Sequence, residues 1–239
     1  MRNNASPKRM LELLQATQTG NYPAGTTAEA LAEIVLDKTF SACLKNRRFW
    51  KAPMVTTALH LAAWEGHLPP GTTAQALINA KDNLGFTALH AAASAGVLPP
   101  ETTVPQLIQT RGGGGFSALH FVPFARSYFK GVTVKDLINS KSDFGWSALH
   151  ASAGAGNLLA GTTLHDLMHC KDGFDNPALA ELPKEFGYRQ MKPVLDATTV
   201  SSAAELKELG TFIARWNPAA AALWMANELR RLKSPSEKS

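Results

Sequence analysis

The tripeptide Ala-Leu-His occurs four times, at Ala58-Leu59-His60, Ala88-Leu89-His90, Ala118-Leu119-His120 and Ala148-Leu149-His150, always 30 residues apart. A fixed period of roughly 20–50 residues marks a chain built from one small unit. Such units stack so that neighbours bury what a single unit cannot. Other positions keep the same step. A basic residue opens the unit at Lys51, Lys81, Arg111, Lys141 and Lys171. Gly85, Gly115 and Gly145 follow in a tight, finger-like turn, where positive φ favours glycine. Thr57, Thr87, Ser117 and Ser147 then stand where a hydroxyl caps a first helix.

That helix is written in small residues, Leu61-Ala62-Ala63 and Ala91-Ala92-Ala93, and Gly66, Gly96 and Gly156 are predicted to stop it. Leu68-Pro69-Pro70 and Leu98-Pro99-Pro100 then connect to Thr73 and Thr103, which with Thr133 and Thr163 are predicted caps of a short second helix. Gln106, Asp136 and Asp166 each lie three positions beyond such a threonine, the spacing of a capping box. The apolar pair of this helix is Leu77-Ile78, Leu107-Ile108, Leu137-Ile138 and Leu167-Met168.

The frame blurs at both ends. Residues 1–10 are polar and basic and read as a frayed terminus, with a helix from Leu11 to near Gly20. Tyr22-Pro23-Ala24-Gly25-Thr26-Thr27 repeats the connector, and a long second helix from about Ala28 is predicted to carry Leu31, Ile34, Val35, Phe40 and Leu44. At the other end, residues 172–180 keep the frame with Ala180 in the histidine position. Ser202 to Glu205 reads as a capping box opening one helix (Leu206, Leu209, Phe212, Ile213, Trp216), and Asn217-Pro218 opens another (Leu223, Trp224, Leu229, Leu232). The expected organisation is a degenerate N-terminal capping repeat over 1–50, repeats over 51–190, and a C-terminal helical cap and tail over 191–239. The expected fold class is all-α.

The stretch Asn79-Ala80-Lys81-Asp82-Asn83-Leu84-Gly85-Phe86-Thr87-Ala88-Leu89-His90-Ala91-Ala92-Ala93, followed by Gly96, resembles the ankyrin repeat, with Ala88 where the family pattern has proline. The likeness covers residues 51–180 and reaches weakly back to residue 11. The second half of each unit is shorter than in that family, whose period is about 33 residues. The resemblance implies an ankyrin-like helical-repeat solenoid with helical capping elements. It implies that the recurrent histidine bonds backbone and ties adjacent units. It also implies a concave face lined by Trp64, Glu65, Asn83, Leu84, Phe86, Ser94, Phe116, Phe124, Asp143, Phe144 and Trp146. Polar residues would be the ordinary choice at exposed positions, so six aromatics and Leu84 there suggest an exposed apolar strip. The functional expectation is a protein–protein interaction module that binds a protein partner through this face.

Composition narrows the alternatives. Apolar residues make up 45% and charged residues only 18%, which excludes disorder over most of the length. Two cysteines, Cys43 and Cys170, are too few for a disulfide scaffold or an all-cysteine zinc site. With no signal peptide or membrane span evident, the expectation is a cytoplasmic protein, monomeric by default and without membrane contact. Net charge is +5, and Lys45-Asn46-Arg47-Arg48-Phe49-Trp50-Lys51 mixes cations with aromatics. That segment supports the alternative function, nucleic-acid or polyanion binding.

His165, Asp166, His169 and Cys170 form the most ligand-like cluster, with the two histidines at i and i+4 on one helix face. They lack a convincing third ligand, and no metal is expected. Arg111-Gly112-Gly113-Gly114-Gly115 lacks the Lys-Ser/Thr of a phosphate loop and reads as a flexible turn. No catalytic grouping stands out, so neither an enzyme activity nor a cofactor is expected. One unit departs from the pattern: residues 121–130 read Phe-Val-Pro-Phe-Ala-Arg-Ser-Tyr-Phe-Lys, and Pro123 should kink or shorten its first helix.

Overall fold

The computed structural model describes residues 7–36, 55–125, 128–183, 188–214 and 218–233. The chain is all-α apart from one two-stranded antiparallel pair and short bridges. From the N-terminus come α1 (Pro7–Thr19), α2 (Ala28–Ala32), β1 (Val35–Leu36), β2 (Thr56–Thr57), α3 (Ala58–Glu65), α4 (Ala74–Asn79), α5 (Ala88–Ala95) and α6 (Val104–Gln109). A 3-10 helix over Ala118–Phe124 is followed by α7 (Val134–Asn139), α8 (Ala148–Gly154) and α9 (Leu164–His169). After a 3-10 turn at Ala178–Glu181 come α10 (Tyr188–Ala197), α11 (Ala203–Ala214) and α12 (Pro218–Lys233).

Packing follows the sequence period. α3, α5, the 118–124 helix, α8 and the 178–181 turn each pack on the next, and α4, α6, α7 and α9 pack on the first helix that follows them. Leu59, Leu89, Leu119, Leu149 and Leu179, with Leu77, Leu107, Leu137 and Leu167, are fully buried along the stack. Removing one such side chain would cost about 2–5 kcal/mol. The unit's backbone is fixed by bonds that recur with it. Ala88, Ala118, Ala148 and Ala178 donate N–H to the carbonyls of Ala80, Thr110, Ser140 and Cys170 at 2.9–3.0 Å. Asp82, Gly112, Ser142 and Asp172 close each finger by donating to Phe86, Phe116, Trp146 and Asn176 at 2.8–3.0 Å.

The Gly-Thr-Thr element divides its work. The first threonine donates back to the connector, as in Thr72 Oγ1 to Pro69 O and Thr162 Oγ1 to Leu159 O, both 2.7 Å. The second is the N-cap, and the boxes at Thr103–Gln106, Thr133–Asp136 and Thr163–Asp166 are all formed.

Four expectations need correction. α1 begins at Pro7, inside the stretch read as frayed. α2 stops at Ala32, and Val35–Leu36 is extended. Ile34 O accepts the N–H of Ala58 at 2.9 Å, so the chain must run straight here to pair with Thr56–Thr57. Phe40, Leu44 and the Lys45–Lys51 segment lie outside the described residues. α10 lay beneath notice in the sequence because Pro193 sits inside it, and it crosses the expected boundary at 190/191. Finally, the box at Ser202–Glu205 is half formed: Ser202 Oγ accepts the N–H of Glu205 at 3.2 Å, while the Glu205 carboxylate turns to Ser201, accepting its N–H at 2.7 Å and its hydroxyl at 2.6 Å.

The C-terminal helices join the stack through few bonds. Leu164 N–H donates to Thr198 Oγ1 at 2.8 Å, and His165 Nε2 lies 2.7 Å from Glu205 Oε1. α11 and α12 pack mainly on each other. Gly210 faces Met225 so closely that a Cβ there would lie 2.1 Å from the sulfur. Among the described residues no helix is long and apolar enough to cross a membrane.

Candidate functional site

The feature that the units build together is a column of rings. His60, His90, His120 and His150 stand at the starts of the first helices. Each presents Nε2 to a carbonyl 26 residues on: Phe86 O at 3.2 Å, Phe116 O at 3.1 Å, Trp146 O at 3.0 Å and Asn176 O at 3.2 Å. These are bonds between one unit and the finger of the next. The residue that supplies the carbonyl also supplies an aromatic ring in three cases. Phe86 meets His90 edge-on at 5.1 Å and Phe121 at 5.7 Å. Phe116 meets His120 at 5.4 Å and Trp146 at 5.9 Å, and Trp146 lies nearly parallel to His120 at 6.2 Å and tilted on His150 at 5.9 Å.

This changes the reading of Phe86, Phe116 and Trp146, expected to be exposed. They are half-buried, because the neighbouring units' rings and fingers shield them. Phe86 lies over the next finger, where a Cβ on Gly112 would come within 2.4 Å of its ring and one on Gly113 within 2.6 Å of Leu84 O. The glycine run expected to be a flexible turn is therefore a close-packed one. Gly115 adopts φ +71°, and a Cβ on it would lie 2.0 Å from Asp143 Oδ1. Glycine here lets two fingers touch through bare backbone.

Other expected face residues fall into two groups. Trp64 (38% exposed), Leu84 (36%), Phe124 (46%) and Phe144 (56%) project to solvent, as does Glu65. Ser94 is half-buried. Asn83 is engaged: its N–H donates to Val55 O at 3.1 Å, and its Oδ1 accepts from Val55 N at 2.9 Å. Asp143 is exposed, and its N–H donates to Gly114 O at 3.0 Å. Sequence reasoning missed Phe174, the most exposed large apolar residue among the described ones at 75%. It holds the same finger position as Leu84 and Phe144, 30 residues on from the latter, so the period alone would have found it. It also missed Phe121, whose ring packs edge-on against both Phe86 and His90.

The basic residues at the unit starts bond along the stack. Arg111 Nη1 donates to Gly115 O at 2.8 Å and to Lys141 O at 2.9 Å, and Lys141 Nζ donates to Lys171 O at 3.3 Å. Lys171 pairs with Asp175 at 2.8 Å, an exposed pair of small energetic weight. Lys51 is outside the described residues.

His165 and His169 stack at 5.8 Å beside a shallow cavity that Ile138, Asp166 and Cys170 also line. His169 Nδ1 donates to His165 O at 2.9 Å, and Cys170 is buried against Ser147 Oγ at 3.1 Å. Burial pushes the Cys170 thiol up, away from the thiolate a metal or nucleophile would need. Among the described residues no group of three or more His, Cys, Asp or Glu side chains is placed to hold a metal ion.

The broken unit is repaired from its neighbour. Asn157 Nδ2 donates to Pro123 O at 2.9 Å and to Ala125 O at 3.1 Å. Tyr128 OH returns the contact, donating to Asn157 O at 2.6 Å and lying 2.5 Å from Ser152 Oγ. Burial raises the Tyr128 phenol to about 12.

No family model matches this chain, and no curated protein matches it either.

Proposed function

We propose that the chain is an ankyrin-like helical-repeat solenoid, closed by helical elements at its ends, that serves as a protein–protein interaction module. The observation that carries this is the recurrence of solvent-facing apolar side chains at two positions of the 30-residue frame. Leu84, Phe144 and Phe174 occupy the finger position, and Trp64 and Phe124 occupy the helix-end position. Side chains of this size left in water at matching positions favour a partner-binding face. The half-buried rings of Phe86, Phe116 and Trp146 form its floor, held by the histidines rather than free to engage. In this reading the face binds and does no chemistry.

The test compares capture of partners from an extract of the native cell by the wild-type chain and by a Trp64→Ala, Phe124→Ala, Phe144→Ala variant. Capture should fall at least tenfold, while the melting temperature moves by no more than a few degrees. Equal capture by both proteins would refute the assignment of this face.

A further inference from the structure

All seven histidines lie among the described residues, and their bonding falls into two patterns. His67 Nδ1 lies 3.1 Å from Thr17 O, and His169 Nδ1 lies 2.9 Å from His165 O. His165 Nε2 lies 2.7 Å from Glu205 Oε1 and 3.3 Å from Thr199 O. In each case a ring N–H faces an oxygen, an arrangement that a doubly protonated ring keeps. The column differs. Nδ1 of His90, His120 and His150 accepts the backbone N–H of Thr87 (3.0 Å), Ser117 (3.1 Å) and Ser147 (3.2 Å). A lone pair aimed at an N–H cannot take a proton without losing that bond, and Nε2 is already committed as donor to the next unit's carbonyl. The hydroxyls of Thr57, Thr87, Ser117 and Ser147 also lie 2.7–2.9 Å from the four Nδ1 atoms and can turn from donor to acceptor; His60 differs in having the hydroxyl as its Nδ1 contact.

We propose that His90, His120 and His150 make the stack acid-sensitive: a second proton on each ring breaks the bond at its helix start, while Nε2–H stays on the next unit's carbonyl, so each unit loosens at its own cap. The surroundings oppose this proton at neutral pH. His90 is faced by the imidazoles of His60 and His120 and by the rings of Phe86 and Phe121. His120 is faced by Arg111, His150, Phe116 and Trp146. His150 is faced by Asp172 and Glu181, which favour the proton, and by Lys141, which opposes it, with Trp146 on its ring. His60 has Asp82 nearby.

Burial holds His90 and His120 down at about 4 and pulls His60 and His150 below the usual imidazole value. A lowered value in the folded chain means the stabilisation is complete above pH ~6.5 and is lost as pH falls towards 4. The carboxylates of Asp172 and Glu181 ease the proton at His150, whereas Arg111 opposes it at His120. The trigger needs no partner, so it stands apart from the interaction face.

The experiment is an acid titration of the full chain, with imidazole protonation followed by NMR and unfolding by denaturant at each pH. Between pH 6.5 and 5 each of the three histidines should lower the folding equilibrium constant by up to about tenfold per pH unit. The amide protons of Thr87, Ser117 and Ser147 should lose exchange protection together with that change. His120→Gln, which keeps a hydrogen-bonding side chain but cannot take the proton, should remove about a quarter to a half of the slope, since His60 is lowered as well. If that variant does not fold, the wild-type titration decides alone. A stability profile flat from pH 6.5 to 5, or column imidazoles that protonate while these three amides stay protected, overturns the proposal.

Discussion

The unit beginning at Thr87 and the unit beginning at Ser117 share a frame and hold their first helices differently. In the first, α5 runs as an α-helix to Ala95, and Gly96 stops it at φ +75° with its N–H bonded back to the helix. In the second, Pro123 removes a backbone donor, and the segment tightens to a 3-10 helix that ends at Phe124. The carbonyls left over are not abandoned to the interior. Asn157, from the following unit, takes those of Pro123 and Ala125. Tyr128 stands where Leu98 stands one unit earlier and bonds the carbonyl of Asn157 itself. The regular unit satisfies its backbone from within, and the broken one borrows from its neighbour. Departure from the pattern therefore need not mean looseness.

The N-terminal units repeat this solution. Tyr22 OH donates to His67 O, and His67 returns its Nδ1 to Thr17 O at 3.1 Å. By connector register Tyr22 and Tyr128 are equivalent, and His67 and Asn157 are equivalent. Where this slot holds Leu68, the next unit offers Val97, an apolar pair in place of a polar one.

Six substitutions test the contrast. Leu119→Ala and Leu89→Ala each empty a fully buried site and should cost about 3–5 kcal/mol by denaturant unfolding. A much cheaper Leu119→Ala would mean that the broken unit is soft after all. Asn157→Ala strips two carbonyls of their partner and should cost about 2–3 kcal/mol. Val97→Ala at the matching regular position should cost about 1 kcal/mol. If the two fall together, the repair carries no special weight. Tyr128→Phe keeps the ring and removes one buried donor, for roughly 1–1.5 kcal/mol, or about 2–4 °C in melting temperature per kcal/mol. Pro123→Ala should change stability by less than about 1 kcal/mol, because Asn157 holds the carbonyls of residues 123 and 125 whichever residue stands at 123. A large gain would show that the proline strains the unit.

Much of the helical framework could be read from residue types. The threonine caps, the capping boxes and the buried leucines follow from local chemistry that repeats in register, so each unit corroborates the others. What could not be read lies between variable positions. Asn157 and Pro123 are 34 residues apart, and neither belongs to the repeated frame. The burial of Phe86 depends on Gly112 of the next finger, which looked in isolation like slack in the chain. The end of α2 was misjudged because apolar spacing from Leu31 to Val35 suits a helix, whereas the bond from Ala58 to Ile34 demands an extended strand.

One bond at the end of the stack bears on how the stack is closed. In the second unit the free N–H at the start of α4 is taken by Glu101 Oε1 of the unit beyond, at 2.8 Å. At the start of α9 the same donor is taken by Thr198 Oγ1, at 2.8 Å. The C-terminal segment thus gives α9, with a hydroxyl, the kind of acceptor that Glu101 gives α4 with a carboxylate; 30 and 60 residues after Glu101 stand Gly131 and Gly161, so the same slot offers no side chain to α6 or α7.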